Sequence, residues 1–497
     1  MFRKIFFFVI TLFLGLQSQA QTEGYAITGN IKGLAAGNYS LAHYFGNTQY
    51  INKDTATVGS DGLLVFEGKK SLPSGLYMLM NPKKQKVLEL VIGDEQRFSF
   101  ESDTLNLIGN LKITGSRQNE LFFEYQKQTK TYADEIGMLQ AQAKMRNDGI
   151  SQQLVGGKVA AIRRQMSDYY LRFTKENATS LAGKMLKASG DIELPTTLPK
   201  RPDGRPDSAW LFRYYKAHFW DNFDFAEESL VRTPFLQRKL DRYVGNLTYQ
   251  LPDSIVAAAE TVIGKALAGN GREMKAYCIW YLTNKYENPE IMGADAAFVH
   301  LAEKYYLGGI MPIVDSSTIQ NIREKVKTLK PLLVGKTMPA IALADTTGAS
   351  HSLAEIKANY TIVVFYDPDC GHCREATPIL KEFYEKNKQT RGVQMLAVSV
   401  TRSPEQWKKY IREFGVGNWN HGYDFNFKID FRRQFDVVTT PVVYVLDKDK
   451  TILARRLPAA QLEDFLNFHE AKLAVMAKAN LKIDEKAEKV KGKTKGK

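Results

Sequence analysis

The pattern of apolar and polar positions divides the chain into three regions. From about residue 24 to 115, short segments that alternate apolar and polar residues, or run apolar, are separated by turns such as Ser60-Asp61-Gly62. The segments are 25–28, 39–42, 63–66, 76–79, 87–91 and 98–100. Six or more short strands at this spacing predict an all-β sandwich or barrel.

Helical spacing of apolar residues begins near Ser116 and continues to about residue 330. This pattern predicts an all-α domain over 116–330. The strongly aromatic stretch at 210–225 is compatible with a ligand groove, but aromatic residues at helical spacing more often pack in a core. We therefore interpret this stretch as core.

From residue 335 to about 475, strand and helix patterns alternate. Predicted strands lie at 341–344, 361–366, 393–400, 442–446 and 452–457. Predicted helices lie at 371–387, 404–414 and 461–477. This order predicts an α/β domain with parallel pairing in its first half and a hairpin at its end.

The first twenty residues have the pattern of a secretory signal peptide. Arg3 and Lys4 precede an apolar run at 5–16, and Ser18-Gln19-Ala20 matches a small-x-small cleavage site. The run is shorter than the about 20 residues that a membrane-spanning helix needs, and no later stretch reaches eighteen apolar residues. We expect cleavage near Ala20, export of the mature chain, and no transmembrane segment after cleavage.

Composition and charge limit the classes of protein to which the chain can belong. With 44% hydrophobic and 25% charged residues the chain is globular, and three cysteines are too few for a disulfide-stapled scaffold or a cysteine-rich zinc protein. The net charge of +14 is concentrated partly in residues 478–497, which contain eight Lys against three acidic residues. We predict a solvated, disordered basic tail there, in preference to a binding segment for acidic surfaces, and no nucleic-acid partner.

The sequence Cys370-Gly371-His372-Cys373 lies where a predicted buried strand gives way to a helix. Unpaired N–H groups and the partial positive charge of a helix N-terminus stabilise a thiolate at Cys370. His372 adds a titratable cation that favours the thiolate, and so the reduced form, further. This arrangement predicts redox chemistry, with Cys370 as the attacking thiol.

Other uses of two cysteines at this spacing are disfavoured. A zinc site needs four ligands, and Cys278, the third cysteine, lies in the helical region. Haem attachment needs a histidine directly after the second cysteine, where the chain has Arg374. A structural disulfide here would close a very short loop and contribute little stability. We therefore expect no metal and no organic cofactor.

Thr440-Pro441 places a proline at the first residue of a predicted strand, where a cis bond is tolerated. With the cysteine pair, this makes residues 335–475 similar to the thioredoxin superfamily, specifically the exported TlpA/ResA-like thiol–disulfide oxidoreductases. The resemblance implies a thioredoxin fold, a cis-proline at Pro441 facing the cysteines, and a Thr440 backbone that binds the substrate.

The family pattern is not matched at every position. Val364 stands where thioredoxin has a buried acid, and Ala376 stands where TlpA-like proteins often have a glutamate. Glu375 is the remaining candidate for proton handling. Residues 24–114 resemble a β-rich domain of unknown function, and residues 218–225 together with 230–234 resemble the helical domain that lies between it and the thioredoxin domain. These two resemblances imply architecture alone.

The sequence therefore predicts a multidomain periplasmic thiol–disulfide oxidoreductase. Cys370 and Cys373 would form a redox disulfide, and the partners would be proteins carrying disulfides or dithiols, with a further redox partner. Two alternatives stay open at this point. One is a peroxiredoxin-like peroxidase, although the close cysteine pair disfavours it. The other is a peptide- or glycan-binding protein with a vestigial redox domain.

Overall fold

A computed structural model describes residues 24–146 and 149–476. The predicted signal peptide and the predicted basic tail lie outside the described residues. The chain forms two compact units that divide between Leu240 and Asp241, and each is described by itself. Among the described helices, none combines the length and apolarity needed to cross a membrane.

The first unit begins with two four-stranded sheets. The strands are β1 (Tyr25–Lys32), β2 (Gly37–Phe45), β3 (Gln49–Val58), β4 (Leu63–Gly68), β5 (Gly75–Met80), β6 (Lys86–Ile92), β7 (Arg97–Asp103) and β8 (Lys112–Thr114). Their orders are β4-β1-β7-β8 and β3-β2-β5-β6. The predicted β-rich region is confirmed, and its two separate sheets correspond to the sandwich alternative.

Helices follow the sheets in the first unit. They are α1 (Arg117–Arg146), α2 (Gly149–Glu176), α3 (Leu181–Ser189), α4 (Ser208–His218) and α5 (Phe235–Asp241). The buried Asn119 holds α1 against β6, since its side chain accepts from the Val91 N–H and donates to the Val91 carbonyl oxygen, both at 2.8 Å. Phe219, Trp220 and Phe223 are buried, so the second half of the aromatic stretch is core, as predicted, whereas Phe212 in its first half is exposed.

The second unit begins with further helices. They are α6 (Pro252–Ala268), α7 (Arg272–Lys285), α8 (Asp295–Leu301) and α9 (Ser316–Leu329). The helical middle of the chain is therefore confirmed. Cys278 lies on α7 and is fully buried, and this burial raises the pKa of its thiol to about 12. Such a thiol is unreactive at neutral pH.

The rest of the second unit is built on a seven-stranded sheet. Its strands are β9 (Ala342–Ala344), β10 (Ser350–Ser352), β11 (Tyr360–Tyr366), β12 (Val393–Ser399), β13 (Asn420–Tyr423), β14 (Val442–Leu446) and β15 (Ile452–Arg455). Its helices are α10 (Gly371–Thr390), α11 (Pro404–Phe414), α12 (Phe431–Phe435) and α13, which covers 462–476. The predicted α/β fold is confirmed.

The strand order in this sheet is β10-β9-β13-β12-β11-β14-β15. β11, β12 and β13 are parallel, whereas β14 runs antiparallel to both β11 and β15. The central strand β11 is almost entirely buried because apolar side chains cover both faces of the sheet. Consequently the carboxyl ends of β11, β12 and β13 and the start of β14 meet at one edge of the sheet.

A buried ionic cluster joins α8 to this sheet. The Arg455 guanidinium lies 3.0 Å from a carboxylate oxygen of Asp295 and 3.0 Å from one of Asp436, and all three side chains are buried. Arg456 contacts the same Asp436 oxygen at 2.7 Å. Buried charges that pair in this way are costly to separate, because the remaining charge would be left unpaired in a site with little water.

Candidate active site

Cys370 lies where β11 gives way to α10. After Tyr366 the chain turns, and the Cys370 N–H donates to the Asp367 carbonyl oxygen at 3.1 Å. Cys370 has an extended backbone and caps the N-terminus of α10, and its carbonyl oxygen accepts from the Arg374 N–H at 3.1 Å. The sulfur therefore lies at the open end of the helix, where backbone N–H groups have no partner within the helix.

The Cys370 thiol is half-buried and donates to the Thr440 carbonyl oxygen at 3.3 Å. Burial raises the pKa of this thiol, but hydrogen bonds to the sulfur from the Thr440 side chain and from the backbone of Cys373 and His372 outweigh it, so that the pKa is lower than usual. The thiolate is consequently populated at lower pH than for an ordinary cysteine.

Cys373 lies one turn further into α10 and is almost completely buried. Burial raises the pKa of its thiol to about 11. Its carbonyl oxygen accepts from the Thr377 hydroxyl at 2.9 Å and from the Tyr410 hydroxyl at 3.1 Å. The two cysteines of one helical turn thus differ in both exposure and acidity.

Thr377 and Tyr410 are positioning residues that sequence reasoning missed. Their hydroxyl oxygens lie 2.5 Å apart, and both contact the Cys373 carbonyl oxygen, which ties α11 to the first turns of α10. Thr377 could have been found, since it follows Cys373 by one turn of a predicted helix. Tyr410 has no local signal, because only the packing of α11 brings it close.

The Thr440–Pro441 peptide bond is cis, and β14 begins at the next residue, Val442. β14 runs antiparallel to β11, so its start lies at the sheet edge where β11 ends. The structure thus brings Thr440 into contact with Cys370 and places Pro441 next to Thr440 at the start of β14.

His372 and Glu375 lie on the exposed side of the first turns of α10. The His372 Nδ1 atom is 3.4 Å from a carboxylate oxygen of Glu375, and both side chains are largely in solvent. The structure brings these two residues together. It places the Glu375 carboxylate on the surface, whereas the Cys373 side chain is buried.

Family models match three parts of the chain. A model described as thioredoxin-like matches residues 358–452, which include both cysteines and the cis-proline. Two models described as domains of unknown function, DUF4369 and DUF5106, match residues 25–122 and 172–329. No curated protein matches the sequence significantly.

Several solved structures are similar to the C-terminal part of the chain. A domain from Cytophaga hutchinsonii, described as "of possible thiol-disulfide isomerase", is 41% identical over 98% of its length and 29% of this chain, with a TM-score of 0.28. The thioredoxin domain of a thiol-disulfide oxidoreductase from Bacteroides vulgatus is 31% identical over 96% of its length and 28% of this chain, with a TM-score of 0.25.

A longer match is a thioredoxin-like protein from Bacteroides caccae, which is 20% identical over its whole length and 56% of this chain, with a TM-score of 0.45. The family assignment depends on the family model and on the 41% identity to the Cytophaga hutchinsonii domain. Through its C-terminal part, the chain belongs to the thioredoxin-like family.

Proposed function

We propose that the protein is an exported thiol–disulfide oxidoreductase that exchanges disulfides with other exported proteins in the periplasm. The observation that carries this proposal is the difference between the two cysteines. Cys370 is partly accessible and has a lowered thiol pKa, whereas Cys373 is buried and has a raised thiol pKa. An attacking thiol needs access and thiolate character, while a resolving thiol needs only to reach the mixed disulfide.

The reaction proceeds in two exchanges. The Cys370 thiolate attacks one sulfur of a substrate disulfide, which forms a Cys370–substrate bond and releases one substrate thiolate, which takes up a proton from solvent. Cys373 then attacks the Cys370 sulfur, and its proton leaves with the second substrate thiol. The substrate gains two electrons, and Cys370 and Cys373 become a disulfide. The reverse sequence oxidises a dithiol, and a separate redox partner resets the pair.

Two further observations support the proposal. The relatives from Cytophaga hutchinsonii and Bacteroides vulgatus carry names of thiol–disulfide enzymes. The sequence at 1–20 has the pattern of a signal peptide, and an exported chain would meet substrates in an oxidising compartment. Thr440 and Pro441 would align the substrate strand, His372 would tune the Cys370 thiolate, and Glu375 is the proposed proton-handling group.

Insulin reduction tests the activity directly. With dithiothreitol as electron donor, the mature protein should accelerate the precipitation of insulin, and Cys370→Ser should reduce the rate to background because the attacking sulfur is lost. Cys278→Ala is the matched control and should keep the wild-type rate, since that thiol is buried outside the site. A wild-type rate equal to dithiothreitol alone would contradict the proposed function.

The variant His372→Pro tests whether His372 stabilises the Cys370 thiolate. Proline is tolerated in the first turn of a helix, so α10 should persist, but the Cys370 thiolate loses both the imidazole and the backbone N–H of residue 372, which proline lacks. The reduction potential should become more negative by about 30 mV, which corresponds to a tenfold change in the equilibrium constant. The reduction potential of the Cys370–Cys373 pair is measured by equilibrating the protein with glutathione or dithiothreitol redox buffers.

Glu375→Gln is the control for His372→Pro, because it removes a charge of opposite sign from the same turn and should shift the potential in the opposite direction. Circular dichroism verifies that each variant keeps its helices. An unchanged or less negative potential in His372→Pro would show that His372 does not tune the thiolate.

A further inference from the structure

Helices α1 and α2 form an antiparallel pair in the first unit, which we call the helical hairpin. Two residues separate Arg146, the last residue of α1, from Gly149, the first residue of α2. Toward the opposite end of the pair, the Tyr125 ring stacks on the Tyr169 ring with 5.8 Å between their centroids. The helices contain 30 and 28 residues, so the helical hairpin is about 40 Å long.

A continuous groove runs along one face of the helical hairpin. Its part near the connection between the helices has a volume of about 730 Å³, and its part at the opposite end, which extends to residues 189–196, has a volume of about 1290 Å³. Arg163 lines both parts, and most of the other lining residues are apolar or small. Met166 and Leu171 are each 37% accessible to solvent, so the groove exposes apolar surface.

The residues that line the groove recur at the spacing of a helix-packing seam. On α2 they include positions 152, 156, 159, 163, 166 and 170, and on α1 they include positions 133, 136, 140 and 143. Steps that alternate between three and four residues keep side chains on one stripe of a helix and are typical of helices that pack along each other. The groove therefore has the pattern expected of a face that further helices cover.

Gly156 lies in this groove, inside α2. A Cβ atom added there would meet no described atom within 4 Å, so the single chain leaves open space beside this residue. Glycine destabilises a helix interior relative to alanine, and the packing of the described residues does not require it at this position. The close approach of another helix backbone would require it.

The charges of the helical hairpin differ between its two ends. The half near the connection, residues 136–167, contains five basic residues and one acidic residue, Asp148. Lys144 lines the groove in this half, whereas Asp191 and Glu193 line it at the opposite end. Two copies that pack in the same direction would bring like charges together, while two antiparallel copies would place each Lys144 near carboxylates. The charge distribution is therefore complementary to itself in the antiparallel arrangement.

The size of this face suits a stable contact between two copies. Two adjacent helices about 40 Å long, each about 10 Å wide, present roughly 800 Å² on one face. Each partner in a stable interface of ordinary size buries about the same area.

We propose that two copies of the chain associate through this groove, with their helical hairpins antiparallel, and form a four-helix bundle. A two-fold axis relates the copies, so each contributes the same face and each groove receives the helices of the other copy. The dimer contact lies in the first unit and does not depend on the proposed redox function.

Sedimentation velocity of the mature protein, from nanomolar to high micromolar concentration, tests this association. The wild type should sediment as a dimer at micromolar concentration. Gly156→Leu should raise the dimer dissociation constant roughly tenfold or more, because the new side chain fills the space that the approaching helix needs. In a single chain the same substitution should stabilise α2, since leucine favours a helix more than glycine does. A weaker dimer is therefore not explained by a loss of folding.

Gly264→Leu is the matched control. Gly264 is also an exposed glycine inside a helix, α6, and a Cβ atom added there would meet no described atom within 4 Å. This variant should keep the wild-type dissociation constant, because α6 lies outside the helical hairpin. Circular dichroism verifies that both glycine variants keep their helices.

A charge exchange tests the antiparallel direction. Lys144→Glu should raise the dissociation constant roughly fivefold or more, because a symmetric dimer contains this contact twice. The double variant Lys144→Glu/Glu193→Lys should restore the wild-type value, since opposite charges again face each other. A double variant that dissociates as readily as Lys144→Glu would overturn the antiparallel arrangement.

A wild-type protein that sediments as a monomer at every concentration would overturn the proposed dimer, including the case in which the groove binds a helix of another protein. A dimer that Gly156→Leu leaves unchanged would show that the copies meet elsewhere, and would overturn it as well. Insulin reduction by the same samples measures the redox activity separately, so an inactive dimer would contradict the proposed function alone.

Discussion

Cells that express the Cys373→Ser variant should accumulate mixed disulfides between this protein and its substrates. The serine leaves Cys370 free to attack but removes the sulfur that breaks the intermediate. Because Cys370 has the lowered thiol pKa and Cys373 is buried, the roles should not be interchangeable. On non-reducing gels, Cys373→Ser should trap on the order of ten times more partner protein than Cys370→Ser.

The double variant Cys370→Ser/Cys373→Ser provides the background for this comparison, and Cys278→Ala should match the wild type. Adding dithiothreitol before electrophoresis should remove every trapped band, which verifies that the bond is a disulfide. Equal trapping by both single variants, or trapping by Cys370→Ser alone, would reverse the assigned roles. The trapped proteins would identify the natural substrates.

Replacing Asp295 by alanine should destabilise the second unit by about 3 kcal/mol, the lower end for breaking a buried ion pair. Arg455 would lose one of the two carboxylates that surround it, while Asp436 is already shared with Arg456. The loss of stability should be largest in the elements that contact the buried ion cluster around Arg455. Hydrogen exchange of the amides of β14 and β15, followed by mass spectrometry, measures the free energy of opening there.

Glu303→Ala is the control for Asp295→Ala, because it breaks an ion pair with Lys330 in the same unit, at 2.7 Å but largely in solvent. Exposed pairs of this kind contribute less than about 1 kcal/mol. If both variants accelerate exchange in β14 and β15 equally, the Arg455 cluster does not stabilise the unit more than a surface pair does.

Local patterns were sufficient to predict the central elements of the α/β fold. β11 and β14 are buried on both faces, so they read as continuous apolar runs, and α11 begins at a proline and ends before a glycine. β3 was missed because most of its residues are exposed and polar. β13 was missed because Asn420–Tyr423 is short and contains no apolar run.

The candidate site was predictable where its residues are near each other in sequence or carry a known motif. Cys370, Cys373 and Pro441 belong to this class. Tyr410 does not, because its position at the site depends on how α11 packs beside the motif. An aromatic residue in a helix gives no signal of this role before folding.

The burial of Cys278 has a consequence for thiol pairing. In the folded chain, the third sulfur lies inside α7 and is closed to exchange, so oxidation can join only Cys370 to Cys373. Unfolding removes this separation, so that any two of the three thiols can form the disulfide. An unfolded chain therefore loses its active site, and its exposed Cys278 thiol can form a wrong disulfide with Cys370 or Cys373.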